Sequence, residues 1–202
     1  MRWGPLAVAT ALGLAILVVP EVLSDRLTAA HLTTLLRLAA ACEALGVAFL
    51  LDDPATRSIS TAPTSGLLRH AVRVGIALPV AGAGWVAALA VTTVGTKAAA
   101  VPRGALTLEA ATLVALAFAL AACGLRFAAD GTAGPFAAPA LLVVLAVAWF
   151  MPRRAALVLP PDDPQWTVAH HRWAAVLVAA VVLFTAASHE PSPRPSRPQE
   201  LV

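Results

Sequence analysis

Long apolar runs separated by short polar clusters organise this chain. The first runs from about Pro5 to Leu23, with Pro20 near its end and Glu21 and Asp25 marking the return to water. A secretory leader ending at Ala29–Ala30 would look similar; we read the run as the first span. The second, Leu32 to Leu51, is interrupted by Arg37 and Glu43. The third covers Ala71 to Val94 and carries Pro79 and a small-residue patch, Ala81 to Gly84, ahead of Trp85. The fourth covers Leu106 to Leu125, with Glu109 about one turn inside. A short fifth runs from Phe136 to Phe150, and a sixth from about Trp173, or a few residues earlier, to Ala187. About 20 apolar residues cross a ~30 Å hydrocarbon core as a helix. The pattern therefore predicts an all-α, polytopic membrane domain over residues 1–187 with about six transmembrane helices, followed by a Pro-rich tail, 188–202, expected to be disordered.

Composition sharpens this picture. The chain is 59% apolar and 12% charged, with a mean hydropathy of +0.82, against roughly 45–50% and about 25% in soluble domains. A water-soluble globule is excluded. Sixteen prolines and twelve glycines do not argue against helices, because neighbouring membrane helices re-satisfy freed backbone groups. The net charge of +3 comes without a basic run interleaved with aromatics, so no nucleic-acid partner is expected.

Candidate chemistry is sparse. Cys42 and Cys123 fall inside apolar runs and read as buried thiols. The five histidines, His31, His70, His170, His171 and His189, lie at or beyond span ends. Axial haem ligands should project from facing helices at similar depth, so neither haem nor metal is expected. Trp166 and Trp173 bracket His170, His171 and Arg172 in the manner of an interfacial belt. No GxxxxGK[ST], GxSxG, HExxH or paired CxxC motif occurs; the chain is expected not to be an enzyme.

Intramembrane charge is the strongest functional signal, because a charged side chain at the bilayer centre costs about 2.5–3.5 kcal/mol on insertion scales. Glu43, eleven residues beyond Leu32, falls ~17 Å into its span. Arg37 precedes it by six residues and points ~240° around the helix, so the two are not an i,i+4 pair. Each needs a partner on another helix or subunit. Glu43 is the candidate for a transport pathway or subunit seam, beside the alternative of a protonated, hydrogen-bonded structural group. Arg37 and Glu109, nearer span ends, are expected to snorkel. With the termini inside, loop charge divides into Arg2, Arg57, Arg69, Arg73, Arg126, Arg194 and Arg197 against Arg26, Lys97, Arg103, Arg153, Arg154 and Arg172. The positive-inside rule does not decide orientation.

The stretches LLDDPATRSISTAPTSGLLRHAVRVGIALPVAGAGWVAAL, residues 50–89, and ALTLEAATLVALAFALAACGLRFAADGTAGPFAAPALLVVL, residues 105–145, together with the six-span layout, resemble the membrane subunits of ABC-type exporters common in actinobacteria. The resemblance implies a permease subunit of an ATP-driven exporter in the plasma membrane, with both termini cytoplasmic. It places the connection at 52–73 against a separate ABC ATPase subunit, with Asp52, Asp53, Arg57, Arg69 and Arg73 as docking residues. ATP and Mg would sit on that partner, and a second copy or a paralogous permease would complete the assembly. The resemblance also implies a re-entrant helical hairpin between the last two spans, its arms at Ala155 to Leu159 and Trp166 to Trp173. Two other classes fit the residues. One is an autonomous proton-coupled transporter in which Glu43 and Glu109 titrate; the other is a structural or regulatory membrane subunit.

Overall fold

The computed structural model describes residues 3–23, 27–51, 66–94, 101–127 and 132–189. All regular structure among the described residues is α-helical: α1 (Trp3–Leu23), α2 (Ala29–Val47), α3 (Gly66–Val94), α4 (Arg103–Phe127), α5 (Gly134–Phe150) and α6 (Trp166–Ser188). Five are long and apolar enough to cross a membrane. The remaining one, α5, is an apolar helix of 17 residues, about 25 Å long at 1.5 Å per residue. The protein is an all-α, multi-pass membrane protein.

Local chemistry explains where the helices begin and continue. At the start of α2 the Thr28 hydroxyl accepts from the His31 N–H at 3.3 Å, and His31 Nδ1 accepts in turn from the Thr28 N–H at 3.4 Å. This is a capping box in which an imidazole replaces the usual carboxylate. Pro135 occupies the first turn of α5, where its missing N–H costs nothing. Helix α3 passes through Pro79 without a break, although Pro79 offers no donor to the carbonyl one turn earlier.

Helix α4 is the hub. It packs on α6, α2 and α5, while α1 lies along α2; α3 rests on α1 and α2 and touches α4 and α6 only thinly. The hub presents small side chains, among them Ala110, Ala117, Ala121 and Ala122, all buried. Close approach is what holds helices together in lipid, where hydrophobic burial between them gains little. The α1–α2 seam shows it best: a Cβ on Gly46 would lie 2.8 Å from Leu6 Cα, and one on Gly13 would lie 3.3 Å from the Ala39 backbone. The outer faces carry exposed Val8 and Leu12 on α1, Val143 and Val147 on α5, and Val178 and Val182 on α6, as a lipid-facing surface requires.

Helices α4 and α6 run parallel. Arg126, near the end of α4, donates to the carbonyls of Ala186, Ala187 and His189 at the end of α6, at 2.6–2.8 Å. These carbonyls have no intrahelical donor of their own. Glu109, near the start of α4, meets His170 near the start of α6.

The link between α5 and α6 corrects the expectation of a helical hairpin. Residues 155–159 form an irregular strap instead of a helical arm, and Trp166 to Trp173 are the opening turns of α6, which starts seven residues before Trp173. Irregular backbone at a membrane face must have its polar groups satisfied by protein, and here side chains do so. Arg172 donates to the Ala156 and Arg154 carbonyls at 2.9 and 2.7 Å, Trp173 Nε1 to the Leu157 carbonyl at 2.9 Å, and Arg37 to the Leu159 carbonyl at 2.8 Å. Ala156 and Leu159 are buried against Ala169 and Trp166.

Candidate functional site

Two buried polar centres lie on different sides of α4. The first joins α2, α4, α6 and the strap. Arg37 grips Glu109 with two parallel hydrogen bonds, Nε to Oε2 at 2.7 Å and Nη2 to Oε1 at 2.8 Å, the fork geometry that makes arginine–carboxylate pairs strong. The third guanidinium nitrogen holds the strap, and the group lies 5.4 Å from the centre of the Trp166 ring, within cation–π range. The Trp166 and His170 rings meet at a tilt of 42° with centres 4.3 Å apart, and His170 Nδ1 faces the Trp166 carbonyl at 2.8 Å. Its Nε2 lies 3.0 Å from Glu109 Oε1, near enough for an ion pair but off the line of a good hydrogen bond. With every guanidinium edge and both carboxylate oxygens engaged, this centre is a clasp that fastens three helices and the strap.

The second centre is Glu43. Its side chain is buried, with 6% exposure, yet the donor facing it is a single hydroxyl, Thr10 Oγ1 on α1, at 3.2 and 3.1 Å from its two oxygens. One hydroxyl supplies one proton, whereas an ionised carboxylate has about four acceptor positions. Gly84 on α3 makes room for the carboxylate: a Cβ there would lie 2.8 Å from Oε1 and 3.0 Å from Oε2.

Glu43 also separates two spaces. Towards α1 is a void of about 10 Å³ that it shares with Thr10, Gly13 and Ala88, of the size that holds one water. Towards α3 and α4 is an apolar pocket of about 210 Å³ lined by Leu78, Gly82, Trp85, Ala110 and Val114. The rim of the pocket is formed by residues exposed on the lipid-facing side, Leu78, Gly82, Thr107 and Ala111, where α3 and α4 barely touch. A hydrogen bond from Trp85 Nε1 to Thr107 Oγ1, 3.1 Å, ties the two helices at one end of the opening.

No family model, curated protein or solved structure matches the chain. The assignment therefore rests on the residues themselves.

Arg37 and Glu109 do not snorkel. They pair with each other, with side-chain exposures of 12% and 4%, because each supplies the partner that hydrocarbon cannot. His170 sits inside the same cluster, half-buried, instead of in a headgroup belt. Glu43 finds its hydrogen bond on another helix. Of the five docking residues, Asp52, Asp53 and Arg57 lie outside the described residues, and Arg69 falls within α3 with its side chain outside them. Arg73 Nη1 donates to the Leu51 carbonyl at 3.0 Å, tying α3 to the end of the segment that follows α2. Sequence reasoning missed Thr10 and the role of Gly84. Thr10 is the sole hydroxyl in the first apolar run, a signal that was there to be used. Among the described residues no group of His, Cys, Asp and Glu could hold a metal ion.

Proposed function

We propose that the protein is a small multi-pass membrane carrier that moves its cargo through the pocket beside Glu43 and exchanges it there for a proton. The observation that carries this reading is a buried carboxyl group with one hydroxyl donor, set between a water-sized void and a lipid-facing apolar pocket. A carboxyl group can hold a proton or a positive partner, but not both at once. Occupancy of the two is thereby coupled, and a gradient of either can drive the other. Glu109, bound in the clasp, takes no part in the exchange.

Proteoliposomes containing this chain alone test the reading. An imposed pH gradient should drive accumulation of cargo, and Glu43→Gln should abolish it. Accumulation that persists in Glu43→Gln would refute the carrier.

A second reading, the permease subunit of an ATP-driven exporter, draws support from the Arg73–Leu51 hydrogen bond. It ties α3 to the residue that precedes the 52–65 connection, giving a docking segment on a separate ATPase a fixed footing. In that reading both termini and the connection face the cytoplasm, and ATP and Mg reside on the partner. An ATPase that co-purifies in stoichiometric amount, with transport absent until it is added, would favour this reading over the first.

A further inference from the structure

We infer that the pocket beside Glu43 binds a small organic ammonium ion with an apolar body, admitted from the bilayer through the gap between α3 and α4. The inference deepens the carrier reading and rests on it for the cargo role, while the binding itself is testable separately. Charge comes first. The carboxylate of Glu43 is buried and short of donors, and among the described residues no cationic side chain lines either adjoining space. An anion would be repelled there, and a neutral occupant would leave the carboxylate unpaired or force it to take a proton. Calcium or magnesium is poorly served, since each takes about six or more oxygen ligands and the only other side-chain oxygens on the two walls are the hydroxyls of Thr10 and Thr107.

Shape and wall chemistry narrow the class further. The volume of about 210 Å³ is below the ~300–1,000 Å³ of sites for drug-sized molecules, which limits the occupant to a single ring or a short branched chain. Trp85 lines both spaces beside Glu43, and tryptophan is the best aromatic partner for an organic cation. The rest of the wall, Leu78, Ala81, Gly82, Ala110 and Val114, suits an apolar body and offers it no competing hydrogen bonds. The rim opens sideways between two helices that barely touch, so the route from lipid crosses no polar barrier.

The probe is radiolabelled benzyltrimethylammonium, with neopentylbenzene as its uncharged isostere, applied to the full chain in lipid nanodiscs. Saturable binding at one site per chain is expected, weakened at least tenfold in Glu43→Gln. Gly82→Leu provides a second variant. A Cβ at Gly82 meets nothing within 4 Å, so the larger side chain should fill the pocket without strain and abolish binding with the carboxylate intact. Both variants should melt within a few degrees of wild type. Absence of saturable binding to wild type, full binding by either variant, or equal competition by neopentylbenzene would overturn the inference. Binding that behaves as expected but is not followed by uptake in proteoliposomes would leave this site standing and remove only the carrier reading.

Discussion

Glycines in different helices have opposite requirements here. At Gly46 an added methyl would press on the Leu6 backbone, which cannot yield without moving α1 off α2. Gly46→Ala is therefore expected to destabilise the protein by about 1–3 kcal/mol, the usual cost of overpacking. Gly75 has nothing within 4 Å, and Gly75→Ala should be neutral or stabilise by up to about 1 kcal/mol through helix propensity. Melting in one detergent compares the two. The charged pair makes a second test at this scale. Glu109→Leu would strand a buried guanidinium and should cost about 3–5 kcal/mol. The double variant Arg37→Met/Glu109→Leu should come back to within about 1–3 kcal/mol of wild type, the residue being the orphaned Leu159 carbonyl. A double variant no more stable than Glu109→Leu alone would contradict the pairing. From sequence it was legible that both charges needed partners elsewhere. That they needed each other was not, since the match depends on how α2 and α4 are set against one another.

At the scale of elements, the helices were readable because about 20 apolar residues in succession have few alternatives in lipid. Their ends were less so: α6 takes in Trp166, His170 and Trp173, a stretch amphipathic enough to pass for an interfacial segment. The strap was not readable at all. What holds it is a set of backbone carbonyls at 154, 156, 157 and 159 met by donors from Arg172, Trp173 and Arg37, and carbonyls leave no mark in a sequence. Arg172→Met should leave two of them without a side-chain donor, at about 1–3 kcal/mol for the buried Ala156 and little for the exposed Arg154. Hydrogen exchange measured by mass spectrometry should then rise at least tenfold across 154–160 while the α1–α2 seam stays protected. Unchanged exchange in that stretch would show that the strap is held by something else. The same reasoning explains the candidate site. Glu43 was visible as a lone carboxylate, but the space around it is formed by four helices and by Gly84 and Gly82 lacking side chains.

For the whole molecule the parallel run of α4 and α6 requires the chain to return across the membrane through α5. Its 17 residues reach about 25 Å, short of a ~30 Å core by an amount that local thinning of the bilayer or flanking residues can absorb. Reporter fusions at residues 130 and 162 are expected to lie on opposite sides of the membrane, and residence on the same side would contradict the parallel run of α4 and α6. Helix α3 touches α4 only thinly, so it can shift against α4 with little packing lost between them, and it forms one wall of the pocket.

The Arg37–Glu109 clasp joins residues 72 apart in the chain, and this has a consequence for biogenesis. At about 5–20 residues per second, a ribosome delivers the arginine some 4–14 s before its carboxylate exists. Helix α2, the least apolar of the five long spans, would meet the lipid in that interval with a naked guanidinium. It should consequently linger at the translocon, or in the care of an insertase, until α4 emerges to release it.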